Sequence, residues 1–241
     1  SKGAPTLLRV SPQVLLYTQG SKDQPDDIDH CLLGEKRAFH GPEQFCQTTG
    51  TDNRAKIILW GDSHANAISD TVQRLSKSTG HPLIRATISS CPPLIRGSVP
   101  NYYTPDQCKA GNEATLHLIK ENPGATVLIA ARWSAYLLGR NEVHGRNKDM
   151  LWSEQQAGNE DSLSIRKEKF RKALLDTTCA LRDAGARVFI LEPIPEMGVS
   201  VPSALARKAM YGSTQEIRIR RDTYQQRHQT ILNLLAETKE Q

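Results

Sequence analysis

Four short apolar runs, each followed by a stretch with helical periodicity, limit what this chain can fold into more than any other feature. Lys56-Ile57-Ile58-Leu59-Trp60 reads as a strand covered on both faces, because its apolar positions are continuous rather than alternating. The spacing predicts a helix over 65–77, with Ala65, Ile68, Val72 and Leu75 on one face and Gly80 as its stop. A second strand is expected over 82–89, then a proline-rich loop through Pro105 and a helix over 106–121 ended by Asn122-Pro123-Gly124. The third strand, 126–131, carries the clearest signature of burial. A polar excursion over 139–160 leads to a long helix over 162–184, stopped by Gly185. The fourth strand runs from Arg187 to Leu191 with Glu192-Pro193 closing it, and 202–241 reads as polar helix. Strand–helix alternation at this spacing means an α/β fold: a three-layer αβα sandwich with a central parallel sheet. Residues 1–50, with Gly20, Pro25, Gly34, Gly41, Pro42 and Gly50, read as an irregular extension packing on a domain over 51–241.

Charge and hydropathy exclude several classes. Lysine and arginine total 31 against 26 acidic residues, a net charge of +5. The densest basic run, Arg218, Arg220 and Arg221, is interleaved with Glu216 and Asp222, which argues against dedicated nucleic-acid binding. The longest apolar runs, such as Val127 to Ala131, fall far short of the roughly 20 residues needed to cross a bilayer. Neither a phosphate-cradling GxxxxGK[ST] nor a GxGxxG occurs. The chain opens Ser1-Lys2-Gly3-Ala4-Pro5 with no signal peptide, and its first methionine is Met150, so it reads as a piece of something longer.

Five cysteines stand at 31, 46, 91, 108 and 179. Four form two local pairs, Cys31 with Cys46 and Cys91 with Cys108, in stretches rich in Pro, Gly and Asp where a crosslink would hold a loop that has no core of its own. Closing loops of that length contributes roughly 3 kcal/mol. The alternative is buried free thiols in a cytosolic protein; no CxxC or HxxxH cluster invites a metal. Cys179, in the amphipathic helix with Phe170, Leu174, Leu175 and Leu181, reads as a buried free thiol or the partner of a cysteine outside this chain.

The first strand ends in Gly61-Asp62-Ser63-His64. Parallel sheets place their chemistry at the carboxyl ends of strands, and a serine in the first strand-to-helix turn projects its hydroxyl there. The structural alternative is that Asp62 or Ser63 only caps the following helix.

In this setting Trp60-Gly61-Asp62-Ser63-His64-Ala65 resembles block I of the SGNH (GDSL-like) hydrolase superfamily. It is most similar to the extracytoplasmic SGNH domains fused behind a membrane acyltransferase-3 domain in bacterial O-acetyltransferases. Ser89-Ser90-Cys91-Pro92-Pro93-Leu94 and Val127-Leu128-Ile129-Ala130-Ala131-Arg132-Trp133-Ser134-Ala135-Tyr136 extend the resemblance, which covers about Cys31 to Pro195. It implies a flavodoxin-like fold, no cofactor, and a covalent mechanism in which Ser63 takes the acetyl group. The backbone N–H of Ser63 and of a block II residue, Ser90 or Gly97, would hold the oxyanion. Where the superfamily has a block III asparagine this chain has Arg132-Trp133, so Arg132 either substitutes as a donor or pairs with an acidic neighbour.

The resemblance also implies a periplasmic domain tethered through its membrane partner in the same polypeptide, acting on a glycan acceptor such as lipopolysaccharide O-antigen. An O-acetyl esterase and a non-catalytic glycan-binding or spacer domain are the competing functions. Asn101-Tyr102-Tyr103, Trp133, Tyr136 and Trp152 would either stack on sugars or pack the loops.

The superfamily's Asp-x-x-His near the C-terminus has no counterpart at that end of the chain. His228 stands six residues after Asp222 on a helical stretch, a spacing that points the two side chains apart. Asp27-Ile28-Asp29-His30 has the spacing but sits in the N-terminal extension, and His64 adjoins Ser63 and diverges from it. His40, His81, His117 and His144 have no carboxylate at useful spacing. The catalytic His and Asp are therefore expected beyond Gln241, after a further strand, and this chain alone is expected to be nearly inactive. Robust turnover would point back to His30 or His228.

Overall fold

The computed structural model describes residues 10–34, 36–49, 54–100, 105–141, 151–154, 162–214 and 216–239. The helices are α1 (Pro12–Gln19), α2 (Ile28–Cys31), α3 (Ser63–Ala67), α4 (Ser69–Thr79), α5 (Pro105–Lys120), α6 (Trp133–Leu138), α7 (Leu163–Asp183), α8 (Val201–Tyr211) and α9 (Arg221–Glu237). The strands are β1 (Cys46–Thr48), β2 (Ile57–Gly61), β3 (Leu83–Thr87), β4 (Thr126–Ala130) and β5 (Arg187–Ile190). They form one sheet in the order β1-β3-β2-β4-β5, with only β1 antiparallel to its neighbour. In the parallel part Gly61 lies opposite Thr87 on one side and Ala130 on the other.

Helices cover both faces. One layer buries Ile57, Leu59, Ala65, Val72 and Leu83 under α3 and α4. The other joins Ile58, Trp60, Val127 and Ile129 to Ile119 of α5, Phe170, Leu174 and Leu181 of α7, and Ile231 and Leu234 of α9. Strand β2 is buried at every position, as a central parallel strand must be. The indole N–H of Trp60 donates to Asn112 Oδ1 at 3.0 Å, and the Asn112 amide donates to the carbonyls of Pro92 and Leu94, so these two buried polar side chains are paired.

The structure departs from the sequence reading at three places. The N-terminal extension is not wholly irregular, since it holds α1, α2 and β1, and β1 extends the sheet. The single helix expected over 65–77 is two, broken at Ile68, whose ψ of 2° interrupts the helical path. Helix α6, where no helix was expected, is buried from Trp133 through Leu137. Both cysteine pairs are disulfides, Cys31–Cys46 and Cys91–Cys108. Cys179 is half-buried and outside any disulfide. At the opposite edge from β1, strand β5 has only β4 beside it among the described residues, and Phe189 stands 56 % exposed.

Candidate active site

Strand order reverses at β2, whose following connection leads to β3 on one side while β4 returns to the other. Ligands of open α/β sheets bind outside the carboxyl ends of the strands at such a reversal. Here those ends are Gly61-Asp62-Ser63 after β2 and Ala131-Arg132 after β4.

Gly61 is obligatory. Its φ is +156°, and a Cβ there would lie 1.9 Å from the Ala130 carbonyl oxygen. Asp62, rather than Ser63, is the cap of α3. Its Oδ1 accepts the His64 N–H at 2.7 Å, while Oδ2 accepts the Arg132 N–H at 2.9 Å and the Tyr136 hydroxyl at 2.5 Å. At 1 % exposure this carboxylate bolts the exit of β2 to the exit of β4. The neighbouring Ser63 is then the first residue of α3 and is exposed, and its N–H and hydroxyl have no hydrogen-bond partner among the described residues.

The two block II candidates differ in place. Ser90 lies three residues past the end of β3 and two after Ile88, whose N–H donates to the Gly61 carbonyl. Its φ of +55° makes it the one non-glycine with positive φ among the described residues, a strained conformation of the kind that gathers at functional sites. Gly97 instead lies against Trp152, whose ring would be 2.5 Å from a Cβ placed there.

Arg132 meets an acidic neighbour. Its Nε donates to Glu196 Oε1 at 3.1 Å, and Glu196 Oε2 accepts from Arg227 Nε at 2.7 Å. Arg227 also donates to the Gly139 carbonyl. One residue on, His228 is buried, with Nδ1 2.7 Å from Ser134 Oγ and its ring against Tyr224. Burial lowers its pKa below the ordinary histidine value, Glu196 opposes that shift and Arg227 reinforces it. His64, Arg132, Glu196 and His228 line one small void of about 10 Å³. Neither His64 nor His228 forms a hydrogen bond with Ser63. His64 instead turns Nδ1 toward Asp62 Oδ1 at 3.7 Å.

The N-terminal Asp-x-x-His serves another purpose. Asp27 clasps the buried Arg85 at 2.5 and 3.1 Å, and Arg85 passes a further bond to Asn66 Oδ1 at 2.8 Å, while His30 is exposed. Trp133, Tyr136 and Trp152 are all at most 1 % exposed, so they pack the loops rather than offer faces to a sugar. The Asn101-Tyr102-Tyr103 stretch and His144 lie outside the described residues. Glu196, Arg227 and His228 as one cluster escaped the sequence reading. The signal present was the spacing of Tyr224, His228, Ile231 and Leu235, which puts His228 on the inward stripe of α9.

An αβα sandwich with a Gly-Asp-Ser turn that exposes its serine at the strand-order reversal is the architecture of an SGNH-type domain. The chain matches the SGNH domain family described as fused to AT3 domains over residues 23–241, and it belongs to that family. Among solved structures it is similar to the periplasmic domain of the lipopolysaccharide acetyltransferase of Salmonella ser. Paratyphi A, with a TM-score of 0.53 and 15 % identity. That likeness is one of fold; it covers 79 % of this chain and 66 % of the Salmonella domain, a little under two thirds. No curated protein sequence matches. No helix among the described residues is long and apolar enough to cross a membrane, and the two disulfides accord with an oxidising compartment.

Proposed function

We propose that this is the periplasmic domain of a serine-dependent O-acetyltransferase, receiving acetyl from a membrane acyltransferase domain of the same polypeptide and passing it to a cell-envelope polysaccharide such as lipopolysaccharide O-antigen. The observation that carries this reading is the exposed, unpartnered Ser63 on a turn locked by Asp62 at the strand-order reversal. Ser63 Oγ attacks the acetyl donor, and the oxyanion is held by the backbone N–H groups of Ser63 and Ser90, which lie at the ends of adjacent strands. We favour Ser90 over Gly97 because Ser90 lies only three residues past β3 and is held in a left-handed conformation. Arg132, paired with Glu196, supports the site as a fixed positive charge.

The base is the remaining part. We place it on an Asp-x-x-His segment outside residues 1–241, carried by a strand that pairs with β5. The open side of β5, where Phe189 is exposed, supports such an addition. An O-acetyl esterase on the same machinery is the second reading, favoured by the solvent exposure of Ser63, since water reaching an acetyl-serine would hydrolyse it.

The test is Ser63→Ala in the full-length polypeptide, with polysaccharide O-acetylation measured by release of acetate. Loss of acetylation is expected, and full activity would remove Ser63 from the role. The ratio of transfer to hydrolysis with a glycan acceptor present separates transferase from esterase.

A further inference from the structure

A cleft of about 680 Å³ opens beside the small void at the active edge, bordered by Arg132, Asn141, Glu196, Met197, Ser200 and Arg207. Its volume falls in the range of roughly 300–1,000 Å³ typical of small-molecule sites. Arg132 and Glu196 belong to both, so the cleft shares a wall with the site. The backbone N–H of Arg132 is bound to Asp62, the residue before Ser63, which fixes that wall relative to the nucleophile.

We infer that this cleft holds the saccharide acceptor, an inference that rests on the acetyltransferase reading and adds to it where the sugar lies. The lining suits the chemistry of a pyranose, whose hydroxyls both donate and accept while its C–H groups present an apolar edge. Arg132, Asn141 and Arg207 supply donors, Glu196 and Asn141 supply acceptors, Ser200 supplies a hydroxyl that does either, and Met197 supplies an apolar contact. The wall is preorganised: Arg132 is held to Glu196 at 3.1 Å, and Glu196 is held from behind by Arg227 at 2.7 Å. The cavity beside β5 lacks this connection, being lined by Val188, Phe189 and Ile190 at the far edge of the sheet. In the transfer step an acceptor hydroxyl oxygen bonds to the acetyl carbonyl carbon and the Ser63 Oγ–acyl bond breaks. The hydroxyl proton passes to the histidine base and from it to Ser63 Oγ.

Two variants of the full-length polypeptide test this. Met197→Trp fills the cleft, and polysaccharide acetylation is expected to fall about tenfold while acetyl-Ser63, followed by mass spectrometry, accumulates. Arg207→Gln leaves the cleft open, and it is expected to raise the acceptor KM several-fold more than it lowers kcat. Unchanged acetylation in Met197→Trp with unchanged acceptor KM in Arg207→Gln would overturn the assignment. So would loss of acetyl-Ser63 along with glycan acetylation, which would give the cleft to the donor. If the wild-type protein never forms acetyl-Ser63, it is the acetyltransferase reading that fails, and the cleft assignment falls with it. Thermal unfolding of Met197→Trp separates a blocked cleft from a misfolded domain, and if that variant does not fold, Arg207→Gln alone decides.

Discussion

Asp62 accepts hydrogen bonds from the His64 and Arg132 N–H groups and from the Tyr136 hydroxyl, three donors on two segments of the chain. Asparagine at this position offers one carbonyl oxygen in place of two carboxylate oxygens and turns an amide donor toward groups that are themselves donors. Asp62→Asn is therefore expected to cost about 3 kcal/mol, read as a lower midpoint in urea unfolding with an unchanged slope. His228 makes the complementary case through pH. Burial holds its folded pKa below the ordinary 6.5, so the unfolded chain binds a proton that the folded chain does not. The stability that goes with neutral His228 is fully present above the unfolded pKa and is lost as pH falls from there toward the folded value. Thermal midpoints measured from pH 8 to pH 5 should fall more steeply for wild type than for His228→Asn, and equal slopes would show that His228 titrates alike in both states.

Among the elements, the parallel strands were legible because each is a local event: an apolar run such as Ile57-Ile58-Leu59 needs no distant partner to announce burial. Strand β1 was not legible. Cys46-Gln47-Thr48 is too short and polar to show a period, and it becomes a strand only because β3, about 37 residues later, offers an edge to it. Helix α6 is equally silent, six residues made inward-facing by Asp62, Ser134 and His228 contacts that no window of sequence contains. The Gly-Asp-Ser turn was visible as a string, whereas the Arg132–Glu196–Arg227 cluster joins three distant segments and was invisible for that reason. What fastens β1 is the Cys31–Cys46 disulfide, which closes a loop of 15 residues. Replacing both cysteines with serine is expected to cost about 3 kcal/mol and to lower the melting temperature by roughly 6–12 °C. A fall of only a degree or two would mean that strand pairing alone holds this edge.

On the scale of the whole domain, the two sheet edges are treated differently. The β1 side is finished by a short antiparallel strand and a crosslink, while β5 leaves Phe189 56 % exposed and the outward N–H groups of Val188 and Ile190 unpaired among the described residues. An exposed edge of that kind is a template for pairing with another chain. Residues 1–241 prepared alone are expected to self-associate with rising concentration, and Phe189→Lys is expected to reduce this, as followed by light scattering, while shifting stability by less than about 1 kcal/mol. Light scattering that is identical in the two proteins would place any association elsewhere.

The second disulfide bears on when such a domain becomes competent. Cys91 follows Ser90 directly, and its bond to Cys108 closes the 17-residue stretch that begins beside the left-handed backbone of Ser90. Strain of this kind persists only while its surroundings enforce it. On the roles proposed for Ser63 and Ser90, a newly made chain with reduced thiols would carry its nucleophile without a properly aimed second donor. Oxidation outside the cytosol would then act as a final maturation step, keeping the acyl-transfer centre dormant until the domain reaches the compartment where its acceptor lies.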